Sequence, residues 1–336
     1  MRALNITRSP IMRTLKLLAA SATLASAGAL ANGLPAVDSV ALPGDRIVLA
    51  SVIQAPELEA LLGSVQIVDI RGDKDAFEAG HIPGAVQIGY GAFRGPKTNP
   101  GALPELNALT QALGAAGLRA DAPLVVAHFG ENSTDFGAAA RVYWTFKSLG
   151  FENLSILNGG TKGYLAAGFE AAKGAVSPVA SNLELTFNDQ WYASTETVKA
   201  RIDSGQGRLL DSRTPAFYAG EAWHGAAKKP GILPGADNFA FTAFFDEASL
   251  KSQAEVNKIV AANGLDQAQT VSYCNTGHWA ATNWFVLSEV AQIPEVTLYA
   301  ESMVEWSNAE LPMDNVPGAA KFALLKVKKW ADGLIN

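Results

Sequence analysis

Two stretches of the chain repeat one another, and this duplication limits the possible folds more than any other feature. VQIVDIRGDKDAFEAGHIPGAVQI (65–88) is matched by GRLLDSRTPAFYAGE…GILPGADNF (207–239). Each is an apolar strand ending in Asp-x-Arg, followed by a short helix-like segment, a Pro-Gly turn and another strand. Further on, APLVVAHFGENSTDFGAAARVYWTFKSLGFENLSILNGGTKGYLAAG matches AQTVSYCNTGHWAATNWFVLSEVAQIPEVTLYAESMVEWSNAE, and the offset stays near 141–142 residues at most anchor points. A period that long means two tandem units of one fold.

Within each half, β-rich runs (66–70, 123–128, 153–157; then 208–211, 269–273, 295–299) alternate with segments of helical periodicity (104–116, 137–149; then 247–262, 280–291). Such alternation predicts an α/β fold with a mainly parallel sheet flanked by helices in each half. Residues 45–173 form the first domain, the Gly/Ser/Pro-containing 174–190 a linker, and 191–315 the second domain. The tail 316–336 reads as an amphipathic helix with Phe322, Leu325 and Trp330 beside Lys326, Lys328 and Lys329. It either docks on the second domain, the commoner case, or lies on a membrane surface.

Residues 1–31 carry Arg2, Arg8, Arg13 and Lys16 and no acid, then LLAASATLASAGALA, the pattern of a signal peptide cleaved before Asn32; Met12 is an alternative start. The remainder is expected in the periplasm. No later run is apolar enough to span a membrane. Without the four basic residues of the leader, 22 basic residues face 32 acidic ones, a formal charge of −10 with no basic block. That excludes nucleic acid as an expected partner.

Cys274 is the only cysteine, so no internal disulfide can form. It stands after the strand TVSY and before the helix AATNWFVLSEVA, at the carboxyl end of a strand, where open α/β sheets place ligands. Burial as a small apolar side chain and service as a nucleophile are both open for such a residue. In the first half the matching position is His128, so packing does not require a cysteine there. The loop Asn275, Thr276, Gly277, His278, Trp279 is short enough to turn several backbone N–H groups toward the sulfur, with a helix N-terminus behind them. Such a cradle favours thiolate. His278 either adds charge or relays a proton, or packs at the surface; Trp279 either shields the sulfur or is a packed aromatic. Arg213 either holds an anionic donor group or forms an ion pair with Asp211, which the recurrence of Asp69 and Arg71 supports; the two readings weigh about equally. No metal-ligand cluster, dinucleotide fingerprint or Walker loop is present, and a phosphatase loop would need Arg at 280, which is alanine.

With Asp-x-Arg, GHIPGA, the strand–Cys–loop–helix unit and two tandem halves, the sequence resembles the rhodanese family, specifically its tandem-domain thiosulfate and 3-mercaptopyruvate sulfurtransferases, over nearly all of 45–315. The resemblance implies a cysteine-free first domain and a catalytic second domain. In it Cys274 accepts sulfur, residues 275–279 form the cradle, Arg213 binds substrate and no cofactor takes part. It further implies a monomer that takes sulfane sulfur from a small-molecule donor such as thiosulfate and passes it to a thiol or cyanide through a persulfide. A periplasmic carrier that loads once without turnover is the alternative, and thiol-dependent reduction of an oxyanion such as arsenate a more distant one. Two departures stand out: His278 and Trp279 replace a Val-Thr pair of the family loop, and the insertion AWHGAAKK (222–229) is placed to bring His224, Lys228 or Lys229 near the mouth.

Overall fold

The computed structural model describes residues 47–335, with side chains to residue 331; the leader expected at 1–31 lies outside the described residues. The first half contributes strands β1 (Val52–Ile53), β2 (Gln66–Asp69), β3 (Ala85–Gln87), β4 (Leu124–Ala127) and β5 (Leu154–Leu157). All pair in parallel, in the order β1-β5-β4-β2-β3. Its helices are α1 (Ala55–Ala60), α2 (Lys74–Ala79), α3 (Leu106–Ala115), α4 (Ser133–Ser148) and α5 (Gly160–Ala166). The second half has β6 (Arg208–Asp211), β7 (Asp237–Asn238), a short antiparallel hairpin β8 (Phe245–Asp246) and β9 (Ser249–Leu250), then β10 (Thr270–Tyr273) and β11 (Thr297–Leu298). The parallel sheet runs β11-β10-β6-β7. Its helices are α6 (Thr195–Ser204), α7 (Pro215–Tyr218), α8 (Gln253–Ala262), α9 (Trp279–Phe285) and α10 (Ser302–Asn308), followed by α11 (Ala319–Ile335).

Strands buried on both faces read as continuous apolar runs, and their alternation assigns each face a layer. In the first sheet Ile67, Val125 and Leu157 face Leu58, Phe77 and Tyr164 of α1, α2 and α5. Their neighbours Val68, Val126 and Ile156 face the other way, onto Leu109, Leu113 and the buried length of α4. The second sheet sends Leu209, Val271 and Tyr273 toward Val198 of α6 and Met303 and Trp306 of α10. Its opposite face turns Leu210 and Leu298 into the same cluster that holds α4. One apolar core therefore lies between the two sheets, with α4 against α9: Phe136 and Tyr143 meet Phe285 edge-on, with ring centroids 5.7 and 4.9 Å apart. Gly137 lies at the closest approach, where an added Cβ would stand 3.1 Å from the His278 ring.

Local signals shifted three boundaries. The helix expected from 247 begins at Gln253, because the chain first turns the β8–β9 hairpin, with Glu247 at φ 54, and Ser252 and Glu255 then form a capping box. The helix expected over 280–291 narrows to α9 and continues as a π-helical turn, Val286–Val290. The strand run 295–299 pairs only at Thr297–Leu298. Segment 174–188 has no regular structure and runs over the first half. Ser181 N–H bonds to the Gly114 carbonyl (2.9 Å) and Asn188 N–H to that of Ser148 (2.7 Å).

Candidate active site

The two Asp-x-Arg motifs fold into the same structural unit. Asp69 closes strand β2, and its carboxylate accepts Arg71 Nε at 2.9 Å and Nη2 at 2.6 Å, while Nη2 also reaches the Gly80 carbonyl at 3.0 Å. In the second half Asp211 takes Arg213 Nε at 2.9 Å and Nη2 at 2.6 Å, and Nη2 reaches the Gly231 carbonyl at 2.9 Å. The pair is dry, with side-chain exposures of 1% and 0%. Burial works against the Arg213 charge, but Asp211 beside it outweighs that cost and raises its pKa. The remaining arm is turned inward, Nη1 donating to Asn275 Oδ1 at 3.2 Å. In this geometry Arg213 anchors the loop after Cys274 to the Asp211 strand end instead of presenting a free fork to a donor.

Cys274 follows β10 and is 1% exposed. Its carbonyl and that of Asn275 accept Met303 N–H (3.2 Å) and Val304 N–H (3.0 Å) from α10. The first half repeats the same clamp at His128 and Phe129 with Thr161 and Lys162 (2.8 and 2.9 Å). Ser302, which sequence reasoning missed, completes the loop. Its Oγ donates to the Tyr299 carbonyl (2.7 Å) and accepts the amides of Cys274 (3.1 Å) and Gly277 (3.2 Å). It does so from a left-handed backbone, φ 55, which a serine adopts only at a cost. Its counterpart in the first half, 142 residues earlier, is Gly160 at φ 61.

The cradle expected from all of 275–279 is thus narrower. Gly277 turns the chain at φ 65 and gives its amide to Ser302. Among the described residues the amides of Asn275, Thr276, His278 and Trp279 take no protein acceptor. Asn275 and Thr276 are each 7% exposed. Trp279 packs as an aromatic, stacked on Phe241 at 5.0 Å and edge-on to Phe217 at 5.7 Å. His278 is committed at both nitrogens to the first half: Nδ1 accepts from the Tyr90 hydroxyl and Nε2 donates to the Thr134 carbonyl, both at 2.8 Å. Burial, helped by the Arg94 charge, pushes its pKa down to about 4, and both ring nitrogens are spent on fastening the two halves together.

The first half also brings positive charge to the Cys274 loop. Arg141, fully buried on α4, donates to the Gly101 carbonyl (2.8 Å) and approaches that of Gly277 (3.5 Å), while its Nε has no partner among the described residues. Burial, and Arg94 after it, lowers its pKa to about 10, opposed by Tyr90, Glu301 and Cys274. Arg94 lies over the Tyr90 ring, 5.2 Å from the centroid, with a buried Nη1 that finds no partner. Burial raises the pKa of Tyr90, a shift opposed by Arg94 and Arg141 and reinforced by Cys274. The Arg94 charge also reaches His224 of the insertion, lowering that histidine's pKa after burial and Lys329. Lys228 is drawn to Glu310 (2.7 Å), and the Lys229 backbone to Ser307 on α10 (3.1 Å). A single Arg inside the apolar run GAAARVYW was the available signal for Arg141. Tyr90 and Arg94, in a short loop remote in sequence from Cys274, gave none.

A buried cysteine at a parallel-strand end, clamped as its histidine counterpart is in a second copy of the fold, matches what comparison with known proteins finds. The model of the rhodanese-like domain matches residues 54–167 and again 194–309. The chain belongs to the rhodanese family. It is similar to a thiosulfate sulfurtransferase of Corynebacterium glutamicum, 30% identical over 288 residues covering 82% of this chain and 91% of that protein. A thiosulfate sulfurtransferase of Pseudomonas aeruginosa is 29% identical over 264 residues, 77% and 95% of the two chains. Among solved structures, SseA from Escherichia coli, a 3-mercaptopyruvate sulfotransferase, superposes with TM-score 0.66 at 25% identity, covering 75% of this chain and 98% of its own. The anaerobic ergothioneine biosynthesis enzyme from Chlorobium limicola shares the fold, with TM-score 0.67 at 20% identity over 79% and 70%. Within this rhodanese pair, the first domain holds His128 where the second holds Cys274. His128 is 1% exposed and, among the described residues, neither ring nitrogen has a hydrogen-bond partner within reach; burial drives its pKa to about 4, opposed by the Leu157 backbone.

Proposed function

We propose that this rhodanese-family sulfurtransferase works by double displacement at Cys274. The thiolate attacks the outer sulfur of thiosulfate or a similar sulfane donor; the S–S bond of the donor breaks, and sulfite leaves with the bonding electron pair. The enzyme then holds a persulfide anion of the same total charge, Cys–S–S⁻. In the second step a nucleophile, cyanide in an assay or a thiol, attacks the terminal sulfur and Cys274 leaves as thiolate. The observation that carries this reading is the pairing of a buried thiol with four backbone amides that lack protein acceptors, at a strand end where the other half of the repeat has histidine. Those amides suit an anion one sulfur longer than the thiolate.

The sulfonate end of the donor falls to Arg94 and Arg141 of the first domain in this reading, because Arg213 is spent on Asp211, Gly231 and Asn275. Cys274 is 1% exposed, so entry of a donor requires a covering side chain to move. The leader-like residues 1–31 support a periplasmic site of action. The test is intact mass after incubation with thiosulfate: one added sulfur on the wild type and none on Cys274→Ser. No adduct on the wild type, or an adduct surviving in Cys274→Ser, overturns the reading. Steady-state thiocyanate production separates an enzyme from a carrier, which would load once and stall.

A further inference from the structure

The last helix, α11, uses one face on the protein and shows another to solvent. Its inner face packs on the insertion 222–229. Phe322 lies edge-on to Trp223 with centroids 5.4 Å apart, Lys329 Nζ donates to the Trp223 carbonyl at 2.9 Å, and Lys321 pairs with Glu221 at 3.1 Å. Leu325, Lys328 and Lys329 line the same groove as Trp223, and the Lys326 ammonium lies over the Phe322 ring, 4.3 Å from its centroid. Leu324, Val327 and Trp330 are turned the other way and are 69, 61 and 68% exposed. An intrachain contact already satisfies this helix, so the outer residues are not a badly docked core face.

At 3.6 residues per turn, the positions of Trp330, Ala323, Val327, Ala320, Ala331 and Leu324 fill one continuous arc of roughly 120°, and Lys326 and Lys328 stand roughly 40° beyond its two edges. The helix carries four lysines and one acid, Asp332, on a chain whose net charge is −6. An apolar arc with a tryptophan at one border, flanked on both sides by lysines long enough to swing from Phe322 and the Trp223 groove to lipid headgroups, fits the boundary between headgroups and acyl chains. Positive flanks on an acidic protein select an anionic surface. A second copy of the chain fits poorly, because pairing two such arcs would bring four flanking lysines together.

We infer that the outer face of α11 is a docking surface for an anionic lipid bilayer. The helix lies in the plane of the interface and does not span it; among the described residues no helix is long and apolar enough to cross a membrane. The test is co-sedimentation of the full chain with phosphatidylcholine vesicles, with and without phosphatidylglycerol. Binding is expected only when phosphatidylglycerol is present and should weaken with salt. Each of Lys326→Gln and Lys328→Gln should lower the partition coefficient about fivefold, and Trp330→Glu should abolish binding while thiosulfate:cyanide turnover in solution stays unchanged. The inference fails if the chain stays in the supernatant with both vesicle types or binds both equally. It also fails if sedimentation velocity shows a dimer that Trp330→Glu dissociates. Vesicle binding and sedimentation do not depend on sulfur transfer, so the inference stands or falls apart from the proposed activity.

Discussion

Gly277→Ala tests the loop where backbone geometry and chemistry meet. Gly277 has φ 65, and an added Cβ would stand 2.3 Å from the Ala300 carbonyl oxygen and 2.5 Å from Arg141 Nη1. The left-handed conformation alone costs an alanine ~1–2 kcal/mol. The clash adds to this, because Ala300 is backbone leading from β11 into α10 and cannot swing aside. Restoring ordinary contact at 3.4 Å requires the loop to shift by about 1 Å, and in the proposed cradle that shift displaces the neighbouring amides from the sulfur. A displacement of that size in a reacting site costs about 10²-fold in rate. The variant should therefore fold, with a Tm lower by roughly 5–10 °C, and form persulfide on the order of 100-fold more slowly in single-turnover experiments with thiosulfate. Gly205→Ala is the matched control. Its φ is also 65 but nothing lies within 4 Å of the added Cβ, so it should show the conformational cost in Tm with no change in rate. Full single-turnover activity in Gly277→Ala would refute the assignment of this loop as the sulfur's cradle; equal Tm losses in the two variants would refute the clash.

Three further outcomes follow from the same geometry. Arg94→Ala removes a guanidinium whose buried Nη1 has no protein partner, so KM for thiosulfate should rise about tenfold, the equivalent of one charge-assisted hydrogen bond, with Tm nearly unchanged; an unaltered KM places the sulfonate elsewhere. At Ser302, held at φ 55 with its Oγ on the amides of Cys274 and Gly277, alanine loses the bonds and keeps the strain while glycine loses the bonds and relieves it. Thermal unfolding should therefore rank Ser above Gly above Ala, with the Gly–Ala gap ~1 kcal/mol and opposite in sign to an exposed helix site. His128 and His278 both have folded pKa values of about 4 against an ordinary 6.5. Protonation therefore favours the unfolded chain, and the stability each gives is complete above about pH 6.5 and drains away toward pH 4, on the order of 3 kcal/mol each. His128→Leu removes one of these, and its Tm relative to wild type should rise by several degrees between pH 7 and pH 4.5; a difference constant with pH refutes the burial argument.

The fold was legible because it is written twice. The offset of 141–142 residues gave two sheets, while the recurrence of Asp69/Arg71 and Asp211/Arg213 left a structural pair and a substrate-binding arginine evenly balanced until both pairs were seen in place. Helix starts such as that of α8 were misread where a left-handed Glu247 turns a hairpin that apolar periodicity does not register. The charged wall of the site was not legible, since Arg141 reaches the Cys274 loop, and Tyr90 with Arg94 over its ring reaches His278, only when the two halves pack together. The repeat nevertheless contains a rule that sequence alone could have applied further. Where the halves agree in chemistry, the residue serves the fold that both share. Where they disagree at a matched position, as His128 with Cys274 and Gly160 with Ser302, the residue serves what only one half does. On that rule Asp69 and Arg71 should matter to stability and not to sulfur transfer. Ser302, a serine bearing a backbone strain that its glycine counterpart avoids, marks the second half as the one in which a loop must be held in place around a reacting atom.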